Sequence, residues 1–140
     1  MRSLQILGRS SALLGVFAGC FDLASGVCAN EGLADRASPD GRWHAVVFQR
    51  DCGATTGFST QVSVLAAGDS LQNEGGNAFT ADDDHGAPPV DPGGSPSVSA
   101  RWIATDTLEV RFHPRSRVFT RESQVGAVAI RYVMDSTAVP

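Results

Sequence analysis

From residue 58 to 65 the chain reads FSTQVSVL, and its side chains change character at almost every step. Phe58, Thr60, Val62 and Val64 share one face, while Ser59, Gln61 and Ser63 share the other. A period of two is the mark of a strand with one face toward a core, because successive Cβ atoms point to opposite sides of the pleat. The same period returns at residues 98–103, with Val98, Ala100 and Trp102 inward. It returns again at residues 108–112, with Leu108, Val110 and Phe112 inward and Glu109 and Arg111 outward. Beyond the N-terminal segment no stretch carries helical periodicity.

Punctuation completes the pattern. Ser38-Pro39-Asp40-Gly41 is a turn signal: proline presets φ and glycine suits the last position. WHAVVF at residues 43–48 is rich in β-formers and apolar on both faces, which predicts a central strand. With residues 58–65 it forms a hairpin through a loop at residues 51–57. Residues 77–81 read as a short third strand. Residues 82–97 (DDDHGAPPVDPGGSPS) read as a flexible loop that contributes nothing to a core. Pro114 breaks the pattern at residues 113–117, and further strands start at Val118 and Val125. The expectation is an all-β fold, a single small antiparallel sheet or sandwich of about six or seven strands.

Residues 1–29 do not belong to that domain. Arg2 and Arg9 precede a short apolar run, SALLGVFAGCF, that ends at Asp22. It is too short for a stable membrane span and suits a signal peptide. Two processing routes compete. Phe17-Ala18-Gly19-Cys20 is similar to the bacterial lipobox, with lipidation at Cys20, although Phe17 stands where leucine is usual. Cleavage after Ala29 would suit an ordinary signal peptidase. The chain has 3 cysteines. Lipidation at Cys20 leaves Cys28 and Cys52 as an even pair for a disulfide in an oxidising compartment, whereas cleavage after Ala29 leaves Cys52 alone. The first route is preferred on that ground. Residues 30–37 are polar and read as a tether, and the folded domain spans residues 30–140.

Asp51-Cys52-Gly53-Ala54-Thr55-Thr56-Gly57-Phe58-Ser59-Thr60-Gln61-Val62-Ser63 resembles the signature of a family of small uncharacterised bacterial secreted proteins and lipoproteins. The resemblance extends from Ser38 to about Val133, with HPRSRVF at residues 113–119 as a second landmark. It implies an exported protein and carries no established activity. The loop at residues 82–97 is longer than the family pattern needs. Ser38-Pro39-Asp40-Gly41 and the later Ala100-Arg101-Trp102 with Asp106 also resemble strand pairs of TolB-type β-propeller repeats. Two half-blades cannot close a propeller, so that likeness concerns local strand geometry alone.

Candidate chemistry is sparse. All 11 basic residues are arginine, and a net charge of −4 argues against a nucleic-acid partner. A thiolate nucleophile at Cys52 needs a base within reach, and the sequence puts none of His44, His85 and His113 beside it. Asp82-Asp83-Asp84-His85 lacks the ligand spacing of a calcium loop and reads as a solvated acidic loop. No metal or cofactor is expected.

Arg101, Arg111, Arg115, Arg117 and Arg121 form a cluster around His113. They could bind an anion in bidentate fashion, or pair with Asp51, Asp106, Glu109 and Glu122, which is the preferred reading. Strand alternation would put Arg111, His113 and Arg115 on one face. The loop at residues 51–57 could offer backbone N–H groups to an anion, or its Asp51, Thr55 and Thr56 could bond its own backbone.

The leading expectation is a non-enzymatic binding module at the cell envelope, membrane-anchored through Cys20. Its surface would be built from Asp51, Thr55, Thr56, His113, Arg115 and Arg117. The partner would be another envelope protein or an anionic ligand. The alternatives are a small periplasmic hydrolase-like enzyme using His113 with Asp51 or Cys52, and a structural envelope lipoprotein.

Overall fold

The structure is a computed structural model and describes residues 28–53 and 55–137. The signal segment and Cys20 lie outside the described residues. Among the described residues nine strands follow one another: β1 (Ala29–Ala37), β2 (Trp43–Asp51), β3 (Ser59–Ala66), β4 (Phe79–Asp82), β5 (Val98–Ala104), β6 (Thr107–Phe112), β7 (Arg117–Arg121), β8 (Gln124–Val125) and β9 (Val128–Met134). They form a five-stranded sheet, β1-β2-β3-β4-β7, and a four-stranded sheet, β5-β6-β9-β8. The fold is all-β and sandwich-like, as the alternation predicts.

The sheets meet through the faces the period-two pattern marks. Ala45, Val47, Val62, Val64, Phe79 and Ala81 of one sheet pack with Leu108, Val110, Phe112, Val128 and Ile130 of the other. Phe79 lies 5.0 Å from Phe112 and 5.7 Å from Tyr132, centroid to centroid. Tyr132 also clasps the sheets through its hydroxyl, whose one proton is shared between the Ala78 carbonyl at 3.0 Å and the Glu122 carbonyl at 2.7 Å.

Several expectations need correction. Residues 30–37 are not a tether: β1 is a full edge strand pairing with β2 from Ala29↔Asp51 to Ala37↔His44. Its residues, ANEGLADRA, carry no apolar alternation because the strand is held by backbone rungs rather than by a buried face. The strand count rises to nine for this reason, and because Gly126, at φ 56, turns the chain between β8 and β9. Pairing is not wholly antiparallel. β6 and β9 run parallel, since the chain crosses to the other sheet for β7 before it returns. The loop at residues 82–97 does reach the interior. Ser95 is fully buried, Pro96 is among the buried side chains, and its carbonyl accepts the Thr60 hydroxyl.

The second face of β3 is also covered. Gln61 and Ser63 are buried beneath residues 67–78, which cross the outer face of the larger sheet as a strap. Gln61 Oε1 accepts from Gly76 N at 2.6 Å. Asn77 imitates a strand neighbour: its Oδ1 accepts from Val64 N at 2.8 Å and its Nδ2 donates to Val64 O at 2.9 Å. A Cβ at Gly76 would lie 2.8 Å from the carbonyls of Phe79 and Val62, so only glycine fits there. The farther part of the strap is tied to β1 and β2. Asn30 Nδ2 donates to the carbonyls of Gln72 and Glu74 at 2.9 and 2.8 Å, and Arg50 reaches Asn30 Oδ1 at 2.7 Å.

Candidate functional site

The strand register brings both sequence landmarks to one end of the sandwich. Arg50 pairs with Ser59, Ser59 with Asp82, and Asp82 with Arg117. The β2–β3 loop, the β4–β5 loop and the β6–β7 turn therefore open on the same side. The end is braced by a Cys28–Cys52 disulfide. Ala29↔Asp51 is the last rung of the β1–β2 ladder, and the bridge occupies the next rung outward. A disulfide there closes the ladder where a hairpin edge would otherwise fray.

Within the β2–β3 loop the polar side chains serve the loop itself. Asp51 Oδ1 accepts from Gly53 N at 2.9 Å, and Thr56 sends both its N–H and its hydroxyl to the Gly53 carbonyl, each at 3.2 Å. Gly53 adopts φ 107, which an L side chain rarely tolerates. Thr55 and Thr56 are exposed on the tip. Asp51 is thus a turn residue, and the threonines are what the loop shows to solvent.

The β6–β7 turn separates the residues that strand alternation would group. His113 is buried, and its Nδ1 accepts the Arg115 N–H at 3.1 Å while its carbonyl takes the Ser116 N–H at 3.0 Å. Pro114 and Arg115 project outward and are exposed. Arg111, His113 and Arg115 do not share a face, because the turn at Pro114 ends the pleat. His113 holds the turn together and Arg115 is displayed by it.

Most of the arginine cluster is engaged by carboxylates. Glu109 takes Arg101 and Arg111, each at 2.8 Å, and their hydrogen bonds, Arg101 first, hold its carboxyl below the usual range. Arg111 also lies 3.4 Å from Asp135. Arg117 grips both oxygens of Asp82 and lies 3.6 Å from Asp84; the Asp82 hydrogen bond is the largest cause of its raised pKa. Arg121 is stacked over the Tyr132 ring at 4.8 Å and the Phe112 ring at 5.7 Å, capping the core rather than facing a ligand. The preferred reading of paired surface arginines thus holds at Glu109, with Asp82, Asp84 and Asp135 as partners the sequence did not suggest. Among the described residues, Arg115 is the member of the cluster that makes neither an ion pair nor a stacking contact.

The acidic run is structural too. Asp82 Oδ1 accepts from Asp84 N at 3.0 Å, and Asp84 and His85 take φ 42 and 61 as the loop reverses. Among the described residues no group of three or more His, Cys, Asp or Glu side chains could hold a metal ion.

One concavity lies outside this end and had no signal in the sequence. A groove of about 540 Å³ runs between β1 and the strap. Its floor includes His44 and Val46, and its walls include Leu33, Asp35, Asp69 and Leu71. His44 spans the floor: Nδ1 is 2.8 Å from Asp35 Oδ1 and Nε2 is 3.0 Å from the Asp69 carbonyl. Leu33 is pushed out by a bulge between Gly32 and Ala34. The sequence could not suggest the groove, because its walls come from a strand and a strap that alternation does not mark.

Comparison with protein-family models, with curated proteins and with solved structures finds no match for this chain.

Proposed function

We propose that the protein is an exported, non-enzymatic binding module of the cell envelope, anchored by lipid at Cys20. It presents the disulfide-braced end of its sandwich to another envelope protein. The observation that carries this reading is the register row from Arg50 through Ser59 and Asp82 to Arg117, which sets the exposed Thr55 and Thr56 on the same end as the exposed Arg115. Binding residues concentrate on loops held by a rigid scaffold, and this end is held by a disulfide, an Asx-type turn and a buried histidine.

The groups an enzyme would need here are committed elsewhere. The Cys52 sulfur is bonded to Cys28, so it offers no thiolate. His113 is buried, with Nδ1 accepting a backbone N–H, and Asp51 accepts from its own loop. These assignments support a binding role over the hydrolase-like alternative.

Arg115 is the residue most exposed to the test. Arginine is enriched among interface residues whose truncation is costly. Arg115→Ala should weaken partner binding by about tenfold or more, equivalent to ~1.4 kcal/mol. It should leave the thermal unfolding midpoint unchanged, because the side chain makes no ion pair among the described residues. Affinity is read with the purified partner after crosslinking in whole cells. Unchanged affinity in a variant combining Arg115→Ala, Thr55→Ala and Thr56→Ala would overturn the proposal.

A further inference from the structure

We infer that the loop-bearing end faces the bilayer, so that its partner is a membrane-embedded protein rather than a soluble one. The inference rests on the lipid anchor proposed above, and adds to it the position of Cys28. Residues 21–27 separate Cys20 from Cys28. The eight Cα–Cα steps from Cys20 to Cys28 reach at most roughly 29 Å when fully extended. Cys28 leaves the domain one rung beyond the Ala29–Asp51 pair, at the end that carries Thr55, Thr56 and Arg115.

The alternative orientation fails on length. Were the opposite end, with its turn at Ser38–Gly41, to meet the membrane, the tether would have to run back along the whole domain. From Cys28 along β1 to Ser38 is ten steps, which amounts to roughly 33 Å of strand. That exceeds the reach of the tether before any of it is spent on the lipid-linked residue. The disulfide makes the exit point firm, because it bonds Cys28 to the β2–β3 loop and prevents β1 from peeling away to lengthen the tether.

Charge decides which membrane component is met. Asp82, Asp83 and Asp84 lie on the same end, and the chain carries a net charge of −4. Arg117 is already paired with two of those carboxylates. An acidic end is repelled by anionic headgroups, so an end held against the bilayer meets an integral protein rather than lipid.

The test uses the full-length protein in its own membranes, with a photo-crosslinking amino acid at Thr55, at Arg115, or at Arg42 beside the opposite turn. The intact mass of the membrane-bound protein is measured first. Lipid at Cys20 leaves the orientation open to trial, and its absence overturns both the anchor and this inference. With the anchor present, Thr55 and Arg115 should each crosslink at least fivefold more than Arg42 to one integral protein that resists carbonate extraction. Crosslinks to lipid alone would overturn the partner assignment. Equal or greater crosslinking from Arg42, or no crosslink from any position, would overturn the orientation while the mass leaves the anchor standing. A second reading measures energy transfer from a fluorescent amino acid at Thr55 or Arg42 to labelled headgroups in vesicles. Transfer should be several-fold higher from Thr55.

Discussion

Tyr132 joins the two sheets at a single atom and also reports on its own surroundings. Burial pushes its hydroxyl up to about 12 from the ordinary 10.0, against the opposing pull of Arg121 and with some help from Glu122. An unfolded chain would ionise this group first, so stability is retained below about pH 10 and falls as pH rises from 10.0 toward 12. The chain has 1 tyrosine, so tyrosinate absorbance reads it alone. The folded protein should titrate near 12, and the Tyr132→Phe variant should lose less stability over that range. Single residues of this kind are poorly legible in sequence. Tyr132 resembles any strand aromatic until the Ala78 and Glu122 carbonyls are seen above it. His113 could equally have been exposed and reactive, and only the turn at Pro114 puts it inside.

At the scale of elements, legibility follows periodicity. β5 and β6 show their inward residues plainly, because each turns one face inward with a period of two, and β3 shows the same period although both its faces are covered. The strap shows nothing of itself. AAGDSLQNEGG at residues 66–76 is polar and glycine-rich and reads as a turn, while Asn77 reads as the start of a strand. Its order comes from amides that take over backbone partners. Asn77→Ala should strip both hydrogen bonds from Val64 and cost about 1–3 kcal/mol, read by urea denaturation. Hydrogen exchange should rise at the strap before it rises in β6. The bulges were equally hidden. Leu33, Ile103 and Phe119 are exposed at 43%, 40% and 61%, and each sits at a register shift on an edge strand of its sheet. A bulge twists an edge and interrupts its row of free N–H and C=O groups, which discourages pairing with another chain.

Over the whole molecule, the order of strands decides what the site is. Both landmark loops are readable in sequence, but their adjacency is not. It depends on β7 leaving one sheet to pair with β4 in the other, a long-range choice no local pattern records. The same crossing makes β6 and β9 parallel neighbours. Phe79 sits between the sheets, against Phe112 and Tyr132, so Phe79→Ala should destabilise the sandwich by about 3–5 kcal/mol. The loss should appear as a lower midpoint in a single transition. Removing the disulfide through Cys28→Ala with Cys52→Ala acts differently, mainly on the unfolded chain. With the cysteines 24 positions apart in sequence, loop closure predicts a loss of about 3 kcal/mol under oxidising conditions. The paired cysteines were the part of the site most legible beforehand, since counting alone suggests them.

The position of that bridge has a mechanical consequence. A pull applied to the chain before Cys28 would otherwise load β1 at its end and open the β1–β2 ladder one rung at a time, as a zipper opens. With Cys28 bonded to Cys52, the load bypasses β1 and enters the chain just past the end of β2, an interior strand of the five-stranded sheet. An edge strand held on one side only is taken out of the line of force, and an oxidised protein should bear tension that a reduced one yields to by unzipping.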